Sequence, residues 1–115
     1  MMLKSVSALL LLAALANPAA AQSRGFSIAM AVALLDVTQD FCSGRYTVDE
    51  TEKARLLVHF HEYDIAGLAS VLSGPLNAFY EDFAHRAKQG RDAFCRTAPE
   101  KAARTGYPVI LAGAP

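Results

Sequence analysis

Two cysteines constrain the fold of this chain more than any other feature. Cys42 and Cys95 are the only cysteines in its 115 residues, so an internal disulfide has one possible connectivity. Such a bond closes a long loop, and the resulting loss of chain entropy in the unfolded state is worth about 4 kcal/mol. The total stability of a small domain is about 5–15 kcal/mol. The alternative is a pair of buried free thiols, and the compartment in which the chain folds decides between the two.

The N-terminal segment predicts that the chain is exported. A short start with one positive charge is followed by an apolar run at 6–15 and by three alanines at 19–21. This is the pattern of a secretory signal peptide at 1–21, cleaved after Ala21. An uncleaved anchor is the alternative, but the apolar run is about half the ~20 residues that cross a membrane. The mature domain, 22–115, is therefore expected in the periplasm or outside the cell. Export to an oxidising compartment favours the disulfide over free thiols.

Composition excludes several classes of protein. Eleven basic and eleven acidic side chains leave no net charge, so the chain lacks the excess of Lys and Arg that binding to nucleic acid phosphates requires. Its apolar fraction of 53% is too high for a disordered acidic tail. Much of that apolarity belongs to the predicted signal peptide. Residues 22–115 have the ordinary composition of a single small domain.

The spacing of apolar residues predicts an all-α domain. Apolar positions three and four apart, such as Met30, Leu34, Val37 and Phe41, are typical of one face of a helix. The predicted helices cover 27–43, 48–63, 65–72, 75–95 and 99–104. No segment alternates apolar and polar residues for long enough to predict a strand. The expected architecture is a small bundle of four to five helices, with one disulfide between the first helix and the long fourth helix.

Local signals predict where several helices begin and end. Thr47 with Glu50 three residues later forms a capping box for the second helix. Gly74 followed by Pro75 is expected to separate the third helix from the fourth. For Gly90 three outcomes stay open: it kinks the fourth helix, splits it in two, or allows another backbone to pack closely.

The extended tail at 107–115 is the predicted contact surface for a partner. Gly106 ends the last helix, and a proline at position 108 disfavours helix at the residue before it. The apolar side chains of this tail are Tyr107, Val109, Ile110 and Leu111. They either contact another protein or pack back onto the core of their own chain, and the sequence leaves both outcomes open.

A group of histidines is the candidate for a metal or small-ligand site. His59, His61 and Glu62 lie near the end of the second helix, and His85 lies in the fourth. Imidazole and carboxylate are common metal ligands. Residues two apart on a helix point about 200° apart, so His59 and His61 cannot share one ion unless the helix ends there. A solvated helix end is the simpler interpretation, and no metal or cofactor is expected.

The sequence carries no recognisable catalytic motif. GxSxG, GxGxxG, Walker and CxxCH patterns are absent, so we do not expect an enzyme. The expected function is that of an exported interaction module, an accessory subunit, chaperone or inhibitor of another envelope or secreted protein. The alternative is a periplasmic module that binds a small ligand or metal through the histidines. The oligomeric state is left open by the sequence.

Overall fold

The computed structural model describes residues 18–65, 67 and 69–113. These residues form four α-helices and two short β-strands: α1 (Pro18–Phe41), β1 (Tyr46–Val48), α2 (Glu50–Ile65), α3 (Ala69–Gln89), α4 (Arg91–Arg104) and β2 (Ile110–Ala112). The predicted fold class, a small all-α bundle with one disulfide, is confirmed, and the described helices number four. The apolar run of the predicted signal peptide lies outside the described residues, so the signal peptide stays a prediction.

Helix α1 forms the centre of the core. Buried side chains occur on almost every side of it: Ile28, Ala29, Ala31, Ala33, Leu34, Leu35, Val37 and Thr38. Its small alanines allow neighbouring helices to approach closely, and α3 packs along it more extensively than any other described element does. The buried hydroxyl of Thr38 is satisfied, because its Oγ1 donates to the Leu34 carbonyl at 2.6 Å.

The disulfide joins the end of α1 to α4. Cys42 follows α1 directly, and its N–H still donates to the Thr38 carbonyl at 2.8 Å. Cys95 lies in the second turn of α4, and the Cα atoms of the two cysteines are 5.5 Å apart. Both cysteines are buried, and the predicted bond is confirmed. A small domain held by a buried disulfide is compatible with an extracellular compartment.

The predicted break at Gly74 and Pro75 is wrong. Helix α3 runs through both residues without interruption, and it replaces the predicted helix at 65–72 and the predicted start at residue 75. One apolar face continues across the two residues with helical spacing: Leu72, Leu76, Phe79, Phe83 and Ala87. Packing of this face against α1 outweighs the cost of a proline within a helix, which is about 3 kcal/mol. Pro99 likewise lies inside α4, so the predicted short helix at 99–104 is part of a longer one.

Gly90 splits the predicted long helix in two. Helix α3 ends at Gln89 and α4 begins at Arg91, with Gly90 as the only residue between them. Its backbone is extended, with φ −155° and ψ 78°, and no atom of another element approaches the position of a Cβ. Of the three outcomes that the sequence left open, the split is therefore the one observed.

The two strands form an antiparallel ribbon that the sequence did not predict. Tyr46 pairs with Ala112, Thr47 with Leu111, and the Asp49 N–H extends the ladder by donating to the Val109 carbonyl at 2.9 Å. Each strand has three residues, too few for an alternating pattern to be recognised.

The ribbon also corrects the predicted start of α2. Thr47 lies in β1, so it cannot be the N-cap that its spacing to Glu50 suggested. Asp49 caps the helix instead, because its Oδ1 accepts from the Glu52 N–H at 3.1 Å. The acid at Glu50 then lies in the first turn, where it faces the positive end of the helix dipole.

None of the described helices combines the length and apolarity that a membrane span requires.

Candidate protein interaction site

Most of the predicted contact surface on the tail is part of the core. Tyr107, Val109 and Ile110 are buried, whereas the side chain of Leu111 is 43% exposed. Leu111 follows Ile110 in β2, and successive side chains of a strand point to opposite faces, so Leu111 points away from the core side of Ile110. The tail thus packs onto its own chain, which is the second of the two outcomes considered. Tyr107, Val109 and Ile110 are thus buried against their own chain, and contact of the tail with a partner stays a prediction, with Leu111 as its exposed apolar side chain.

Tyr107 anchors the inner side of α2 to the segment after α4. The His59 Nδ1 and the Tyr107 hydroxyl share a hydrogen bond of 2.6 Å. The Arg55 guanidinium lies 4.5 Å from the centre of the Tyr107 ring and donates to the Gly106 carbonyl at 2.6 Å. Burial raises the pKa of the Tyr107 phenol. These contacts give His59 and Arg55 a structural role in holding α2 in place.

The histidines considered as metal ligands are not brought together. His59 faces Tyr107, whereas His61 and Glu62 are exposed on α2 and His85 is exposed on α3. Across 18–65, 67 and 69–113, no three His, Cys, Asp or Glu side chains lie close enough to hold a metal ion. His59 and His61 diverge because side chains two apart on a helix point in different directions.

Helix α2 has a second apolar face that no described element covers. Its inner side carries Leu56, which is fully buried, with Phe60 and Tyr63 half-buried beside it. On the opposite side Leu57 is 50% exposed, Val58 55% and Ile65 73%. With Ala54 and His61 these side chains occupy an arc of about 100° around the helix axis. We call these five residues, Ala54, Leu57, Val58, His61 and Ile65, the outer face of α2.

The outer face is exposed because α2 lies at the edge of the bundle. Helix α2 packs less extensively on α1 and α3 than those two helices pack on each other. A single exposed apolar side chain is ordinary, but three large ones on one helix face make a contiguous patch. Such patches in a folded domain are typical of protein interaction sites.

Charged residues flank the outer face in a definite order. At 100° per residue, Lys53 and Asp64 lie about 20–40° beyond Leu57 on one flank. Arg55 and Glu62 lie about 40–60° beyond Val58 on the other flank. The side chains of Lys53, Asp64 and Glu62 form no ion pair with the described residues, whereas Arg55 pairs with Glu52 at 2.8 Å. Each flank therefore carries a basic residue near the start of α2 and an acidic residue near its end.

A small open cavity lies where the end of β2 meets α4. Its volume is about 270 Å³, and it is lined by Arg45, Cys95, Arg96, Pro99, Ala112 and Gly113. Arg45 also pairs with Asp92 at 2.8 Å, whereas Arg96 has no ion pair within the described part of the chain. Two guanidinium groups beside an apolar wall are suited to a small anion.

Two carboxylates lie one turn apart on α1. Tyr80 from α3 donates its hydroxyl hydrogen bond to Asp40 Oδ2 at 2.7 Å. Burial and the neighbouring charge of Asp40 raise the pKa of Asp36 above its usual value of 3.8. The hydrogen bond from Tyr80 joins Asp40 of α1 to α3.

Comparisons of this chain with protein-family models, with curated proteins and with solved structures found no match. The outer face of α2 was missed by sequence reasoning because apolar residues occur on both sides of this helix. Leu57 lies directly beside the inner stripe, and Ile65 falls within the predicted helix at 65–72. A helix with two apolar sides is itself the signal that could have revealed the site, since such a helix is typical of the centre of a bundle or of an interface.

Proposed function

We propose that this chain is an exported, non-enzymatic interaction protein that binds a protein partner through the outer face of α2. It acts as an accessory subunit, chaperone or inhibitor in the periplasm or outside the cell. The observation that carries the proposal is the exposure of Leu57, Val58 and Ile65 by half or more on one side of one helix. Covering the exposed part of each side chain in an interface contributes on the order of 1 kcal/mol.

Export is supported by two independent features. The N-terminal pattern of one positive charge, an apolar run and three alanines is typical of a secretory signal peptide. The buried Cys42–Cys95 disulfide suits a compartment in which thiols are oxidised. A protein partner in that same compartment is therefore the one that the outer face would meet.

A non-enzymatic role is supported by the structural roles of His59 and the two cysteines, which are side chains of types that enzymes use in catalysis. His59, the histidine nearest the core, shares its hydrogen bond with Tyr107 and helps to fix the tail. The cysteines are bonded to each other, so neither can act as a thiolate nucleophile while the disulfide is intact. The most distinctive surface is apolar, which suits binding rather than catalysis.

Site-specific photocrosslinking tests the proposal. A benzophenone amino acid is placed at Leu57 in the outer face, and at Glu81, an exposed position on α3, as the control. The disulfide-bonded protein is then illuminated in an extract of the cell envelope and the surrounding medium. We expect a protein adduct from Leu57 that is absent from Glu81 and is lost when Ile65→Asp is added. Equal adducts from both positions, or none from Leu57, would contradict the proposal.

A second candidate function, binding of a small anion, is favoured by the cavity at Arg45 and Arg96. Native mass spectrometry of the protein purified without chelators tests it directly. A stoichiometric added mass that disappears in Arg96→Ala but persists in Arg104→Ala would support this function. Arg104 is the matched control, because it lies on the same helix and pairs with Glu100 at 2.6 Å. A bare polypeptide mass for the original protein would count against it.

A further inference from the structure

We propose that the partner covered by the outer face of α2 is a second copy of this chain, with the two α2 helices packed antiparallel about a two-fold axis. The inference rests on the proposed function, since it uses the same face and names what occupies it. The observation behind it is the order of charges on the two flanks. A self-complementary surface is the requirement for a two-fold dimer, and this face meets it.

The apolar residues set the position of the axis. Ala54, Leu57, Val58 and Ile65 are centred midway between positions 58 and 59 of α2. A two-fold axis through that point brings residues 54–63 of one helix over the same residues of the other. Helix α2 covers Glu50–Ile65, so its midpoint lies close to this axis. The ends of the two helices therefore coincide to within a few residues.

With the axis at this point, the flanking charges become complementary. In an antiparallel helix pair, like flanks of the two helices meet. Lys53 then lies level with Asp64 of the partner subunit, on the flank beside Leu57. On the other flank, Arg55 lies level with Glu62 of the partner subunit. Symmetry repeats each contact, so every charged residue of the two flanks faces an opposite charge.

The same charges disfavour the parallel arrangement. In a parallel pair, opposite flanks meet at the same level. Lys53 would then lie beside Arg55 of the partner subunit, and Asp64 beside Glu62 of the partner subunit. Like charges at these positions repel, so the pattern selects the antiparallel dimer.

The residues that would form these contacts are available for them. Lys53, Asp64 and Glu62 make no ion pair with the described residues, so dimerisation breaks no contact of theirs. Arg55 also holds Glu52 and the Gly106 carbonyl, but its side chain is 43% exposed. A guanidinium has five N–H donors, which allows it to bind a further carboxylate without releasing these two.

Sedimentation velocity of the full, disulfide-bonded chain tests the inference. We expect a dimer that forms with rising concentration between about 1 and 500 µM, the weak range of a small interface. Ile65→Asp should abolish it, and either Lys53→Asp or Asp64→Lys should weaken it about tenfold or more. The double variant Lys53→Asp/Asp64→Lys exchanges the two charges and should restore the dimer. Lys88→Asp, an exposed lysine on α3, is the matched control and should leave it unchanged.

The charge-reversal variants are expected to fold. Lys53→Asp puts an acid near the start of α2 and Asp64→Lys puts a base near its end, and both placements suit the helix dipole. Thermal unfolding followed by circular dichroism checks this, with all variants expected within a few degrees of the original chain. A loss of dimer with an unchanged unfolding temperature therefore reports on the interface alone.

The outcomes separate this inference from the proposed function. A dimer that responds to Ile65→Asp and to the charge exchange supports both. If a dimer forms but no α2 variant weakens it, the inference is wrong. A chain that stays monomeric up to the highest concentration also overturns it. In that monomeric case the proposed function stands if Leu57 still crosslinks to another protein, and it falls if Leu57 crosslinks to nothing.

Discussion

Helices α1 and α2 carry similar apolar side chains, yet they use them differently. Leu34 of α1 is fully buried, and its helix is surrounded by the rest of the bundle. Leu57 of α2 is half exposed on a helix that contacts the bundle through one side only. The comparison shows that a helix with apolar residues on two sides is typical of the centre of a bundle or of an interface. In this chain α1 is the first case, and we propose that α2 is the second.

Removing the disulfide should give the largest effect, because the bond constrains the unfolded chain. The removal should weaken the region around α1 and leave the outer face of α2 intact. The double variant Cys42→Ala/Cys95→Ala should lose about 2–5 kcal/mol of unfolding free energy. Urea denaturation measures the loss. Reduction of the original chain with dithiothreitol is the control and should produce a comparable loss. A double variant as stable as the disulfide-bonded chain would contradict the assigned role of the bond.

Truncation of matched leucines tests the comparison itself. Leu34→Ala in α1 should cost about 2–5 kcal/mol, because it leaves a cavity in the core. Leu57→Ala in α2 should change the stability of the monomer by no more than about 0.5 kcal/mol, because the side chain is half exposed. Both losses are measured by urea denaturation, at protein concentrations well below those at which the dimer forms. Equal losses would show that the outer face of α2 belongs to the core.

The hydrogen bond between His59 and Tyr107 should contribute less. Tyr107→Phe removes the hydroxyl at a buried position and leaves His59 Nδ1 without its partner, at a cost of about 1 kcal/mol. Tyr80→Phe is the matched control, since it removes a bond to Asp40 at an exposed position and should cost less. Thermal unfolding of the two variants measures the difference. A larger loss from Tyr80→Phe would contradict the anchoring role given to Tyr107.

The pH dependence from Asp36 should be the smallest effect. Its pKa in the folded chain is raised above the usual 3.8, so between these two values the folded state binds more protons than the unfolded state. Stability contributed by this group is therefore lost as the pH rises through that window. Asp36→Asn should be slightly more stable than the original chain at pH 7, and the gain should vanish as the pH falls through the pKa of Asp36.

The control for this effect is Asp82→Asn, which removes an ion pair with Arg86 of 3.1 Å. That variant should show no gain in unfolding temperature at neutral pH. If the gain for Asp36→Asn grew on acidification, the pKa of Asp36 in the folded chain would have to be lowered rather than raised.

Sequence reasoning reached the features that local chemistry determines. The disulfide follows from two cysteines and the predicted export, and the helical class follows from apolar spacing such as that of Met30, Leu34 and Val37. Two features depended on contacts between distant segments and were missed. The ribbon pairs Thr47 with Leu111, and no local pattern connects two such short strands. Pro75 stays inside α3 because α1 holds the apolar face on both sides of it.

The candidate site was missed for a related reason. Leu57, Val58 and Ile65 can be assigned to an outer face only when it is known which side of α2 packs on the bundle. The sequence shows that α2 is apolar on two sides, but tertiary contacts decide which side is buried. Once that side is fixed, the remaining apolar arc and the charges that flank it follow from helix geometry.

Mixing two charge-reversal variants tests the central claim most directly. Lys53→Asp should dimerise about tenfold or more weakly than the original chain because it places two acids opposite each other, and Asp64→Lys should do so because it places two bases opposite each other. Mixed in equal amounts, the two variants should form a dimer, since every contact of that flank is then between opposite charges. Light scattering coupled to size-exclusion chromatography measures the mass of each sample. A mixture that stays monomeric, or single variants that dimerise as well as the original chain, would contradict the antiparallel α2 interface.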